Sequence, residues 1–221
     1  GGRRVGVAIR LLRFVARPVV AVAIAQVGCQ ALVAAHRVRL QNREQLMTHK
    51  TIRGTISYYS HKPERMGEER GREYFMLTQQ ADGNDVLLAH CEIDDEPNVI
   101  RDVALAMRNS DSSPIDCSVR LTVGNKFEGS GWIRFGDQYA ECETFNHRDG
   151  RISQRIETPE KVSWLQSHPI VGDALLMKLY DLGKGPGTSH YSNMFLTSPY
   201  HRGATGPQLF VTGLSLVYVG E

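Results

Sequence analysis

The stretch CSVRLTVGNKFEGSGWIRFGDQYAECETF, Cys117–Phe145, alternates apolar and polar residues at a period of two. That is the pattern of strands with one buried face. Cys117, Val119, Leu121 and Val123 share one face of the first run, against Ser118, Arg120 and Thr122. Ile133 and Phe135 oppose Ser130, Trp132 and Arg134, and Ala140, Cys142 and Thr144 oppose Tyr139, Glu141, Glu143 and Phe145. Gly129 and Gly131 inside a strand pattern mark a bulge, a bend or a close approach by another segment.

The same period extends in both directions. TIRGTISYYS reads as a strand, and REYFMLTQQ and VLLAHCEID form a hairpin across ADGND. In VLLAHCEID, Leu87, Ala89, Cys91 and Ile93 share one face and Val86, Leu88, His90 and Glu92 the other. VIRDVALAMR reads as a strand from its neighbours, although its alanines and methionine favour helix. YAECETFN and RISQRIET form a further hairpin across HRDG. Then the pattern changes. TPEKVSWLQS, with Thr158 as cap and Pro159 at the first helical position, predicts a short helix, and HPIVGDALLMKLYDL a second. GKGPGTSHYSN reads as a linker, and MFLTSPYHR and LFVTGLSLVYVG as two closing strands.

Seven or eight strands in meander order with one helical insertion predict a mainly β (α+β) domain. The expectation is a strongly curved antiparallel sheet or unclosed barrel, with the helix packed on its open side.

Composition is that of an ordinary globular protein, with 41% hydrophobic and 23% charged residues. The net charge of +2 hides an asymmetry. Residues 1–46 hold eight arginines and one acid, whereas the remainder is mildly acidic and has no basic footprint for nucleic acid. Pro18 to Ala35 is apolar enough, with arginines in front, to read as a signal peptide or a membrane anchor. Since the first methionine is Met47, residues 1–46 read equally as a non-native extension. The first readings place the protein in the periplasm or cell envelope, with membrane association through residues 1–46; a start at Met47 places it in the cytoplasm. Residues 47–221 then form a single β-rich domain, and GLSLVYVGE running to the last residue reads as a C-terminus cut short.

The four cysteines show no zinc-type spacing and read as small buried hydrophobes, with a Cys117–Cys142 bridge open if their strands are neighbours. Neither a phosphate loop nor a metal-binding or nucleophile motif is present, so no cofactor or metal is expected.

The mixed outer faces carry the functional reading. Arginine beside tryptophan is the lining of a ligand cavity, apolar walls with a few orienting charges, and also that of a solvated face with cross-strand ion pairs. Enclosure predicts Trp132, Phe135, Trp164, Leu175 and Leu176 as walls, with Arg120 and Arg134 meeting an anionic group. His90 and Glu92, two apart on one strand, point the same way and suit a base and its orienter. Glu141 is an alternative partner, and His147 a further candidate.

The order of elements, hairpins followed by HPIVGDALLMKLYDL and a return to strands at GLSLVYVGE, resembles the periplasmic lipoprotein-carrier-like proteins. The resemblance implies an unclosed β-barrel capped by helices, with an apolar interior for an acyl chain. Three functions follow as expectations. One is binding of a lipid-like or amphipathic small molecule. Another is a cofactor-independent lyase, isomerase or hydrolase acting on a small aromatic or hydroxylated compound with His90, Glu92 and Glu141. The third is a purely structural envelope protein.

Overall fold

The structure, a computed structural model, describes residues 49–197 and 208–220. The expectations for residues 1–46 and for the end of MFLTSPYHR fall outside these residues. Eight strands form one antiparallel meander in chain order: β1 (His49–Tyr59), β2 (Glu69–Gln80), β3 (Asn84–Ile93), β4 (Val99–Arg108), β5 (Pro114–Val123), β6 (Lys126–Phe135), β7 (Tyr139–Asn146) and β8 (Gly150–Glu157). A second sheet is made of β9 (Trp164–Gln166), β10 (Gly187–Thr197) and β11 (Leu209–Tyr218), with β10 central. One short helix, α1 (Ile170–Leu176), joins β9 to β10 through 3-10 turns at Met177–Leu179 and Leu182–Lys184. None of the helices among the described residues is long and apolar enough to cross a membrane.

The alternation of the Cys117–Phe145 stretch sorts its side chains as expected. Cys117, Val119, Leu121, Ile133, Ala140 and Cys142 are buried on one face, while Ser118, Arg120, Trp132, Arg134, Glu143 and Phe145 are exposed on the other. The buried face packs against the second sheet and α1 through Trp164, Leu165, Val171, Leu176, Met194 and Phe195. Phe135 and Phe195 meet edge to face across the two layers at 6.1 Å. Full burial of side chains this size stabilises by about 1.5–3 kcal/mol each, enough for a two-layer core.

The expected strongly curved sheet or unclosed barrel does not form. The large sheet is neither closed nor strongly curled, and its first and last strands do not pair. Its inner face is filled by the second layer, so the sheet is one wall of a solid core rather than a wrap round a chamber. The expected helix over TPEKVSWLQS does not form; most of the segment is irregular and Trp164–Gln166 is strand β9, which pairs parallel with β10 from Trp164↔Met194 to Gln166↔Leu196. Burying Trp164 and Leu165 together between the sheets outweighs helix propensity. The second helix is shorter than its pattern, because Tyr180 turns extended and Tyr191 donates to the Leu179 carbonyl at 2.7 Å. Part of the expected linker, Gly187–Asn193, is the first half of β10.

A bulge lies where the glycines predicted one. Leu121 pairs with Gly129 and Thr122 with Phe127, leaving Glu128 as the extra residue. A Cβ on Gly129 would stand 2.8 Å from the Phe145 carbonyl oxygen, so the close approach of β7 requires glycine there. Cys117 and Cys142 are separated by β6 and are free thiols, as is Cys91. Burial pushes the Cys91 thiol up to about 12 and the Cys142 thiol up to about 11.

Candidate functional site

Lateral registers across the large sheet place its outward side chains in rows. One row reads Met76, Leu88, Ala104, Ser118, Trp132, Glu143 from β2 to β7. The next reads Tyr74, His90, Asp102, Arg120, Ser130, Phe145, and ends at Arg151 on β8. Ala104 and Ser118 occupy the middle of the first row and Ser130 stands beside Arg120 in the second, with larger residues on either side. The result is a trough of about 960 Å³ open to solvent, lined from Tyr74 on β2 to Arg151 on β8. Six inter-strand steps of ~4.8 Å make it roughly 29 Å long, running across the strands.

Four large apolar side chains stand half-exposed along it: Tyr74 (45%), Leu88 (41%), Trp132 (43%) and Phe145 (45%). Singly such residues need no explanation; here they are grouped on one face as an apolar patch. Phe145 stands on a mixed face that the sequence points to, whereas Tyr74 and Leu88 are additions to the expected lining. Their signal was a large apolar residue at an outward position of an alternating strand.

The charges on this face are mostly paired. His90 Nδ1 lies 2.6 Å from Asp102 Oδ1 and its Nε2 3.2 Å from Glu92 Oε1. The bond to Asp102 is the largest cause raising the His90 pKa above its ordinary 6.5. Glu143 accepts from Arg151 and from the Ser153 hydroxyl, which lower its pKa. Arg120 differs. Its guanidinium carbon sits 4.6 Å over the Phe127 ring, and no carboxylate among the described residues is within ion-pair distance of it.

The residues expected to share a cavity are divided by the sheet. Arg120 and Trp132 line the trough. Arg134 faces the same side but one row further on, between its register partners Asp116 and Glu141. Its side chain is 56% exposed and 4.0 Å from Glu141, which Arg155 also contacts at 3.2 Å. Phe135, Trp164 and Leu176 are buried in the core, and Leu175 packs against it. Phe135 adjoins Arg134 in one strand, so the period of two sends them to opposite faces. His90 and Glu92 do meet, but each ring nitrogen of His90 faces a carboxylate, an arrangement that holds a proton rather than accepting one from a substrate. Glu141 lies four strands from His90, and His147 packs edge-on against Phe127 and Phe145.

A second polar group lies inside. Glu73, fully buried on β2, accepts from the Tyr58 hydroxyl at 2.6 Å and from the backbone nitrogens of Ile170 and Val171 at 2.7 and 3.0 Å. It fastens the start of α1 to the large sheet and faces no opening.

No family model matches the chain, and no curated protein or solved structure is significantly similar to it.

Proposed function

We propose that the chain is a binding module that holds an elongated amphipathic molecule along the outer trough. The apolar body of the ligand lies on Tyr74, Leu88, Trp132 and Phe145, and its anionic group meets Arg120. The observation that carries this reading is the company Arg120 keeps: an arginine without a carboxylate partner among the described residues, in one trough with four half-exposed apolar side chains. The grouped apolar side chains of the trough support a lipid-like body for the ligand. Here Trp164, Leu176 and Phe195 fill the space between the layers, which leaves the outer face as the place for it.

The test is fluorescence titration with 8-anilinonaphthalene-1-sulfonate, an anion on an aromatic body. Binding should weaken roughly tenfold in both Trp132→Ala and Arg120→Gln, as for contacts at the centre of a site. Affinity that is unchanged in both variants overturns the reading.

A further inference from the structure

His90, Asp102 and Arg120 are neighbours in one lateral row on β3, β4 and β5, with His90↔Asp102 and Asp102↔Arg120 as register partners. Directly opposed side chains of an antiparallel pair have Cβ atoms roughly 5 Å apart, so the Asp102 carboxylate stands between a histidine and an arginine and reaches either. In the structure it is with His90, at 2.6 Å. The other carboxylate on the ring, Glu92, also meets Arg72 at 2.7 Å, a cation it shares with Glu69 and Asp94. Tyr74 on β2 stacks beside the ring at 6.4 Å. Among the described residues, then, His90 faces Glu92 on its own strand, Asp102 on β4 and the Tyr74 ring with Arg72 behind Glu92 on β2.

Resting on the binding reading above, we propose that this row makes the trough a proton-gated site for anions: a protonated His90 occupies Asp102 and leaves Arg120 to the ligand, whereas a neutral His90 releases Asp102 to pair with Arg120 in the ligand's place. The physical basis is charge balance. The imidazolium has an N–H for each of its two carboxylates and offsets the charge of Asp102. A neutral ring keeps one N–H and no charge, in either tautomer. Glu92 keeps its contact with the shared Arg72, so the carboxylate left with no cation in contact is Asp102, and its nearest cation in the row is Arg120. The site is open to water, so the coupling belongs to the lower end of the usual range. The contact with Asp102 raises the His90 pKa above its ordinary 6.5, so the gate opens and closes above that pH.

The experiment compares two probes with the full chain at about pH 6 and about pH 9. The sulfonate probe should bind roughly fivefold more tightly at the lower pH. N-phenyl-1-naphthylamine, a neutral molecule with a similar aromatic body, should bind equally at both. Asp102→Asn should hold the sulfonate at its tighter affinity at both pH values, and His90→Gln should hold it at the weaker one. Equal affinity of the wild-type chain at the two pH values overturns the gate while leaving the binding reading intact. So does a pH dependence that survives in both variants, or one shared by the neutral probe. If neither probe binds at either pH, the binding reading fails and the gate fails with it.

Discussion

The Oε1 of Glu73 lies 3.0 Å from the backbone nitrogen of Val171, 98 residues further along the chain. This bond and its neighbours make a buried carboxylate the joint between the large sheet and α1. A helix of seven residues cannot hold itself in water, and the first turn of this one has no side-chain cap of its own. Glu73 supplies the missing acceptors.

Glu73→Ala should therefore destabilise the protein by about 3 kcal/mol. It removes the acceptor of the buried Val171 N–H and of the partly buried Ile170 N–H and Tyr58 hydroxyl, each at a cost of ~1–3 kcal/mol where water cannot replace it. Glu73→Gln keeps one acceptor oxygen and should lose less. Urea midpoints of the two variants measure the difference, and equal losses would contradict the capping role.

Stability should respond to pH through two interior groups that pull in opposite directions. Burial, reinforced by Glu73, pushes the Asp173 carboxyl up to about 6. A group that holds its proton more tightly when folded contributes fully below its ordinary pKa of 3.8, and loses that contribution as pH rises through about 6. Asp173→Asn should thus raise the urea midpoint at about pH 8 and leave it nearly unchanged at about pH 4. Burial, with Arg101 second, holds the His168 imidazole down at about 3. Its contribution is whole above 6.5 and is lost as pH falls from there through about 3. His168→Asn, a residue that tolerates the positive φ found at this position, should flatten the acid limb of the stability curve. An unchanged acid limb would place the acid sensitivity elsewhere.

The two tryptophans should behave as opposites. Trp164 is 1% exposed in the core, and its truncation to alanine should cost about 3–5 kcal/mol. Trp132 is 43% exposed over the trough, and Trp132→Ala should shift the thermal midpoint little while weakening ligand binding. A large stability loss in Trp132→Ala would mean that this ring serves the sheet itself rather than a ligand.

Strand order and facing were readable because a strand shows its period in each short run. Every outward and inward assignment from Val86 to Phe145 needed only alternate residues along one strand. The bulge at Gly129 was readable too, since a glycine inside a strand pattern has few other uses. What failed was local propensity against distant partners. TPEKVSWLQS carries a good helix start, yet Trp164 and Leu165 find their burial beside Met194 and Phe195, about thirty residues away. No sequence signal singled out Glu73 or Arg101, polar residues buried on the inward faces of β2 and β4, because backbone groups that satisfy Glu73 come from the far end of the domain.

The amino-acid order by itself determined a mainly β chain, a meander of seven or eight strands and the faces of the alternating runs such as Cys117–Phe145, because these depend on periodicity and on turns between neighbours. Only the tertiary structure decided which face is covered. The second sheet and α1 took the apolar side and filled it, so the ligand-facing candidates were divided. Arg120 and Trp132 were left in an open trough, and Phe135, Trp164 and Leu176 were sealed in the core. That choice rests on contacts between segments far apart in the chain, where burial of large side chains outweighs any local preference.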